Sequence, residues 1–398
     1  MISPAEAEAA IRSHAPLLPA VSVPVAELAG TTLRERVVAR LDQPPFDRVT
    51  MDGIAFAFAA YERGRRAFRI AGTQAAGAPR AKLASEDECF EVMTGAIVPE
   101  GCDCVVPVEQ INVEGGVAYL SAEAVAERGL YIHARGIDSR RGDVLLEPGT
   151  VLGPAEVAVL ASHGYTHATV TRKPRIAVIS TGDELVEPGA PLEPWQIYRS
   201  NAYAILAELQ RRGYDEVTLD HLPDDPDILR TRLEEHLATR DTLILSGGVS
   251  MGRFDHVPRV LTELSVSTLF HKVAQRPGKP LWFGLGLAGQ TVYALPGNPV
   301  STLVCLVRYV LAGLARSQGR ALEPVPSALL DRSFEVKPAL TLFVPASLRF
   351  EAGRCHATPR PTHGSGDFTS LIGTDGFVEL PPGPRLVPQG TSVPLHCW

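Results

Sequence analysis

Arg175-Ile-Ala-Val-Ile-Ser-Thr-Gly-Asp-Glu-Leu185 decides the fold. Arg175–Ser180 reads as one continuous apolar strand. A strand without polar alternation is covered on both faces, as in the middle of a parallel sheet. It runs straight into a glycine-containing loop. Downstream, Ala202–Arg212 has helical spacing and is closed by Gly213. Val217–Leu222 is a strand, and Pro226–Thr239 a charged amphipathic helix. Thr242–Ser246 is an apolar strand ending in Gly247-Gly248, followed by a helix over His256–Leu264. Thr291–Leu295 is a strand entering Pro296-Gly-Asn-Pro and an apolar helix over Ser301–Ala315. Strands alternating with helices imply parallel βαβ units.

The flanks differ from this. Residues 3–14 read as a helix, and Val25–Leu41 has helical apolar spacing that Pro44-Pro45 would end. Residues 46–140 are short apolar alternations separated by Gly and Pro, which makes a β-rich domain. Pro154–His163 is a helix with Pro at its start and Gly after it. Beyond Glu323–Pro326 the chain is Pro-rich with short strands, a small β-domain over 327–398.

The 398 residues are 45% hydrophobic, 21% charged and 6% aromatic, a globular composition with material for several cores. A net charge of −7 argues against nucleic acid as a partner, since duplex binding rests on a basic face. It leaves room for a small anion held by a few aimed donors. The six cysteines show no C-x-x-C spacing, so no zinc or dithiol site is indicated. Cys102 and Cys104 read as small buried side chains. The N-terminus has no apolar signal core, and Ser301–Ala315, interrupted by Arg308, is too short to span a bilayer. A cytoplasmic protein without membrane contact is expected.

In an open parallel sheet, ligands sit beyond the carboxyl ends of the strands. Three loops end strands in that way. They are Ser180-Thr181-Gly182-Asp183-Glu184-Leu185, Ser246-Gly247-Gly248-Val249-Ser250-Met251-Gly252 and Leu295-Pro296-Gly297-Asn298-Pro299-Val300-Ser301. Glycine lets backbone N–H groups approach an anion, and Ser246, Ser250 and Ser301 add hydroxyls. Lys272, Arg276 and Lys279 form a cationic turn fixed by Pro277, Gly278 and Pro280, suited to phosphate or another oxyanion. Asp47, Asp52, Asp138, Asp183, Glu184, Asp224, Asp225 and Asp255 fall near loops. Carboxylates gathered by a phosphate site can hold Mg²⁺, although each singly suits a cap or turn. No hydrolase elbow is present, no histidines have metal-ligand spacing, and His271 and His363 read as ordinary polar contacts.

Six pieces of the chain are similar to the molybdopterin molybdenumtransferase family, which includes MoeA and the E domain of gephyrin. They are Pro45–Gly53, Met93–Val106, Ser180–Leu185, Ser246–Ser250, Arg276–Pro280 and Leu295–Ser301, in the family's order and spacing. The resemblance covers essentially the whole chain. It implies an α/β multidomain fold with a helical stalk (1–45 and 141–172) and an inserted β-domain (46–140). A doubly wound, MogA-like α/β domain that binds the pterin (173–326) and a C-terminal β-barrel (327–398) would complete it.

The resemblance also implies a Mg²⁺-dependent reaction of molybdate with adenylylated molybdopterin, releasing AMP. A homodimer would share the site between subunits, and an upstream molybdopterin adenylyltransferase would be a partner. Asp52, Thr94, Glu184, Asp224 and Asp255 become the catalytic candidates. Asp138, Glu184, Asp224 and Asp255 become the metal candidates. Ser180, Thr181, Gly182, Asp183, Ser246, Gly247, Gly248, Ser250, Lys272, Arg276, Lys279, Pro296, Asn298, Ser301 and Ser365 become the binding candidates. The chain departs from the family's usual residues at Arg48-Val49 (Asn-Ser), Ile54 (Tyr), Arg276 (Lys) and Pro345 (Arg). A diverged, non-catalytic carrier or scaffold is the alternative those departures raise.

Overall fold

Ile176–Thr181 is the second strand of a six-stranded sheet in the computed structural model, which describes residues 1–249, 256–321, 323–362 and 364–398. The strand order is Val217–Leu222, Ile176–Thr181, Thr242–Ser246, Thr291–Leu295, Trp282–Leu285 and Ser267–His271. The first four are parallel, as the alternation of strand and helix requires. Trp282–Leu285 then runs antiparallel to Thr291–Leu295, and Ser267–His271 antiparallel to it, two additions that the sequence pattern did not separate. Loops, not helices, join them, so the periodicity that marks a crossover is missing there.

The apolar run divides between two cores. Ile176 and Val178 pack with Ala202, Ile205 and Leu209 of the helix Ser200–Arg211. Ala177 and Ile179 pack with Leu229 and Leu233 of Pro226–Thr239 and with Val260 and Leu261 of Val257–Glu263. Burial on both faces explains why no polar residue interrupts the strand. Pro4–His14, closed by a Ser3–Glu6 capping box, adds Ala7 and Ile11 to the first core. The long helix Pro299–Ser317 is apolar enough to suggest a membrane span, but 72% of its most apolar window is buried inside the protein. Its Arg308 is buried and ion-paired with Glu8 and with Glu379. It is a core helix.

Thr341–Glu351, Arg354–Pro359, Ser327–Leu330, Ser392–Cys397 and Gly376–Leu380 form a closed ring, because the last strand pairs back with the first. The barrel core holds Ala328, Leu330, Val344, Ala357, Val378 and Leu395. Gln275–Arg276 pairs in parallel with Thr341–Leu342, which joins the cationic turn to the barrel. These elements belong to one compact unit, comprising Met1–Arg34, Pro148–Gly153 and Ala168–Trp398.

The other unit comprises Glu35–Glu147 and Pro154–His167. Its sheet runs Cys104–Pro107, Gly53–Phe56, Glu88–Val92, Ala67–Gln74, Val117–Leu120 and Ile111–Glu114. Cys102 and Cys104 are buried free thiols in it, as expected, and so is Cys89. Burial pushes Cys89 and Cys104 up to about 12, so neither ionises near neutrality.

One helix expectation fails. Val25–Leu41 contains only a single turn, Val25–Glu27. Gly30 stands at φ +77°, and the N–H groups of Gly30 and Leu33 donate to Leu152 and Thr150 instead of continuing a helix. Within the other unit, Val37–Val38 pairs with Val144–Leu146. The β-branched Thr31-Thr32 and Val37-Val38 pairs favour that outcome, and partners from residues 144–152 supply it.

Candidate active site

The chain leaves Ile176–Thr181 toward Val217–Leu222 on one side and later reaches Thr242–Ser246 on the other. The two connections diverge above Thr181 and Ser246, where a doubly wound sheet opens a crevice. Gly247, at φ +102°, lets the two loops meet. A Cβ there would lie 2.6 Å from the Thr181 carbonyl oxygen. Ser180, Thr181 and Ser246 are buried, and the hydroxyls of Ser180 and Thr181 have no partner among the described residues. A pocket of about 100 Å³ lies here, lined by Ser180, Thr181, Glu184, Ser246 and Gly247 together with Arg199, Ser200 and Asn201. Asn201 Nδ2 donates to Ser246 Oγ at 2.9 Å and to the Gly297 carbonyl at 2.7 Å, tying the second and third loops together.

A larger cleft of about 1160 Å³ continues from it, between the third loop, the cationic turn and the barrel. Glu184, Arg276, Lys279, Pro296, Asn298, Ser301 and Ser365 line it. Asn298 Nδ2 donates to Ser365 Oγ at 2.8 Å, and Val300 N–H donates to the Ser365 carbonyl at 2.9 Å. Ser365 is thus locked against the helix start from a strand-poor part of the barrel sequence. Arg276 and Lys279 are exposed and make no ion pair among the described residues. Lys272 does not line the cleft. Its backbone, at φ +74°, bonds to Ile2 and Leu281, and Arg276 and Lys279 are the cations of the turn that line the cleft.

Asp183, Glu184 and Asp224 form the acidic side. Asp224 N–H donates to Asp183 Oδ1 at 3.1 Å. Burial first, and then the negative charges of Asp183 and Glu184, raise the Asp224 pKa above the ordinary carboxylate value. Asp225 instead caps Pro226–Thr239, accepting from Asp227 N–H and Ile228 N–H. Among the described residues no three His, Cys, Asp or Glu side chains gather closely enough to form a complete metal site. The metal set drawn from the family pattern is therefore not assembled among them. Ser250, Met251, Gly252, Asp255 and His363 lie outside the described residues.

The remaining candidates are in the other unit. Gly53 pairs with Val92 across two antiparallel strands, a register that puts Asp52 opposite Met93 and beside Thr94. Only glycine fits at 53, since a Cβ would lie 2.0 Å from the Val106 carbonyl oxygen. Thr94 donates its N–H and its hydroxyl to Asp52 Oδ1 at 2.6 and 2.7 Å. Those two bonds lower the Asp52 pKa and keep it ionised. Asp138 Oδ1 is 3.0 Å from His133 Nε2, and His133 Nδ1 is 3.2 Å from Arg48. Of the departures, Ile54 is wholly buried in the sheet core. Pro345 lines the cleft and brings no donor.

Sequence reasoning missed Arg199, Ser200 and Asn201. The available signal was their position at the start of a helix that follows a strand-end loop.

Fold and site together define a multidomain α/β protein with a crevice at the strand ends of a doubly wound sheet. The sequence matches the MoeA N-terminal region (domains I and II) over residues 2–164. It matches the probable molybdopterin binding domain over 177–316, and the MoeA C-terminal region (domain IV) over 327–398. It is 39% identical to a molybdopterin molybdenumtransferase of Synechocystis sp., covering 100% of both chains. It is 34% identical to that of Bacillus subtilis, covering 91% of this chain and 86% of the relative. A solved molybdopterin biosynthesis MoeA protein from Pyrococcus horikoshii OT3 superposes with a TM-score of 0.82 at 26% identity, over 100% of both chains. The chain belongs to the molybdopterin molybdenumtransferase family, a family of enzymes, and so to molybdenum cofactor biosynthesis.

Proposed function

We propose that the chain reacts molybdate with adenylylated molybdopterin, yielding molybdenum cofactor and AMP, as a Mg²⁺-dependent cytoplasmic homodimer. The single observation that carries this is the cleft whose wall presents two cations, Arg276 and Lys279, that make no ion pair among the described residues, beside the pocket lined by Ser180 and Thr181, whose hydroxyls have no partner among them. Such a surface binds oxyanions at two adjacent places, which suits a substrate with phosphates and a second, inorganic oxyanion. Arg276 and Lys279 would orient molybdate. The loop Pro296–Ser301 and Ser365 would position the substrate between barrel and sheet.

Glu184 and Asp224 supply hard oxygens suited to Mg²⁺, and burial followed by the negative charges of Asp183 and Glu184 raises the Asp224 pKa, a charge balance that a divalent cation would ease. Bound there, the ion would polarise the phosphoanhydride. Glu184 and Asp224 would hold it, with Asp138 and Asp255 as the further candidates of the family pattern. Asp52, held ionised by Thr94, would complete the site from a second copy of the chain. The upstream partner would be the enzyme that adenylylates molybdopterin.

The test is AMP release from adenylylated molybdopterin by the purified protein with molybdate and Mg²⁺. No AMP under those conditions sinks the reading. One observation favours a second reading, a pterin carrier without turnover: Pro345 places no donor on the cleft wall. Rescue of a strain lacking its own transferase would exclude the carrier.

A further inference from the structure

We propose that Gln275 and Tyr309 are positioning residues: buried beneath the turn Arg276–Pro280, they hold it in the form that receives an oxyanion. This rests on the reading in which Arg276 and Lys279 meet molybdate.

The turn has an anchored underside. Gln275 leads into it and is wholly buried, an uncommon place for an amide. Its Nε2 donates to the Pro277 carbonyl at 3.1 Å and to Cys305 Sγ at 3.6 Å. Cys305 Sγ in turn donates to the Gly278 carbonyl at 3.7 Å, which also accepts from Leu281 N–H at 3.2 Å. Gly278 stands at φ +87°, and a Cβ there would lie 2.6 Å from both Gln275 Nε2 and Cys305 Sγ. The turn is seated directly on these two side chains.

Tyr309 completes the anchor. The Pro277 carbonyl only accepts, so the amide must turn Nε2 toward it, and Oε1 is left to find a donor. The Tyr309 hydroxyl, also buried, is that donor. Without it a buried carbonyl oxygen would stand unsatisfied, and the amide would lose its hold on the turn. Tyr309 comes from Leu306–Val310, where the long helix widens to a π-type turn, a feature that recurs at functional sites.

The consequence for the cleft is electrostatic. Two carbonyls drawn into the core are two negative dipole ends kept off the cleft wall. In a planar trans peptide the N–H lies opposite the C=O, so the N–H groups of Gly278 and Lys279 face away from the core. Neither has a partner among the described residues, and both residues line the cleft. They add to the side-chain donors of Arg276 and Lys279. Gln275 and Tyr309, without exposure, act through the turn.

Equilibrium dialysis with molybdate, alongside calorimetric melting, tests this on wild type, Tyr309→Phe, Gln275→Leu and Leu314→Ala. Leu314 lies in the same helix and core and outside this hydrogen-bonded set. Molybdate should bind ~3-fold or more weakly to Tyr309→Phe, which loses one buried hydrogen bond, and ~10-fold or more weakly to Gln275→Leu, which loses them all. Leu314→Ala should melt at least as early as Tyr309→Phe yet bind molybdate as wild type does. In AMP release, Tyr309→Phe should raise the KM for molybdate by the same factor, with kcat and the KM for adenylylated molybdopterin within ~2-fold of wild type. Unchanged molybdate affinity in Tyr309→Phe overturns the proposal, whether or not Gln275→Leu folds. So does an equal loss in Leu314→Ala, which would mean general loosening, or a wild type that binds no molybdate. If Tyr309→Phe loses molybdate affinity while wild type releases no AMP, the positioning role stands and the transferase reading falls. If Tyr309→Phe releases AMP with a wild-type KM for molybdate, the positioning role falls and the transferase reading stands.

Discussion

Replacing Gly247 by alanine should separate the two strand-end loops and weaken the whole site. Two costs add. Gly247 sits at φ +102°, and a side chain there costs about 1–2 kcal/mol by crowding its own carbonyl. The new Cβ would also lie 2.6 Å from the Thr181 carbonyl oxygen and 2.9 Å from its hydroxyl, well inside contact distance. Relieving such overpacking by backbone shift costs about 1–3 kcal/mol. Gly189→Ala separates the two costs. Gly189 is also left-handed, at φ +94°, but nothing lies within 4 Å of where its Cβ would be. Gly247→Ala should therefore unfold more easily than Gly189→Ala by about 1–3 kcal/mol, about 2–5 °C in melting temperature for a unit of this size. Differential scanning calorimetry on the two variants reads this directly. Gly247→Ala should also raise the KM for adenylylated molybdopterin, with Gly189→Ala near wild type. Equal melting temperatures, or a Gly247→Ala enzyme with wild-type KM, would refute the claim that this glycine sets the loop approach.

Asp52→Asn keeps the shape but halts charge donation from the exposed Asp52–Thr94 pair. We expect at least ~10-fold slower AMP release with unchanged stability, and wild-type turnover would remove Asp52 from the site. Asp241 is held at about 2, despite burial, by hydrogen bonds from Arg172 and Arg175. A depressed carboxylate contributes stability above its ordinary value near 4 and loses it as pH falls toward 2, so wild type should lose on the order of 1–2 kcal/mol across that window. Asp241→Asn should flatten that part of the acid-unfolding curve, and an unchanged curve would count against the pair. Arg308→Met leaves Glu8 and Glu379 facing each other in a largely buried place. Urea denaturation should show a loss of about 3–5 kcal/mol, and a loss below about 1 kcal/mol would mean the pair is already solvated.

The amino-acid sequence by itself determined the α/β core. Ile176–Ile179 has no polar position, so both faces had to be covered, and the turn residues after Ser180, Ser246 and Leu295 marked where the strands end. It also determined the family, because the motif order spans the chain. Its local periodicity misled at Val25–Leu41, where partners more than a hundred residues away in sequence take the backbone hydrogen bonds. Trp282–Leu285 and Ser267–His271 were missed for a related reason: hairpin-type pairing leaves no helical spacer to read.

The site was half legible. The glycine loops and the Arg276–Pro280 turn could be found by composition, but only the tertiary structure showed that Lys272 stands outside the cleft. Only it could show Ser365 bonded to Asn298, or Arg199 buried where it lines the strand-end pocket. Convergence of side chains depends on crossings and burial that are global properties of the packed chain. A cation such as Arg199, the one charge between Glu193 and Glu208, acquires its surroundings only once the fold has removed the water around it.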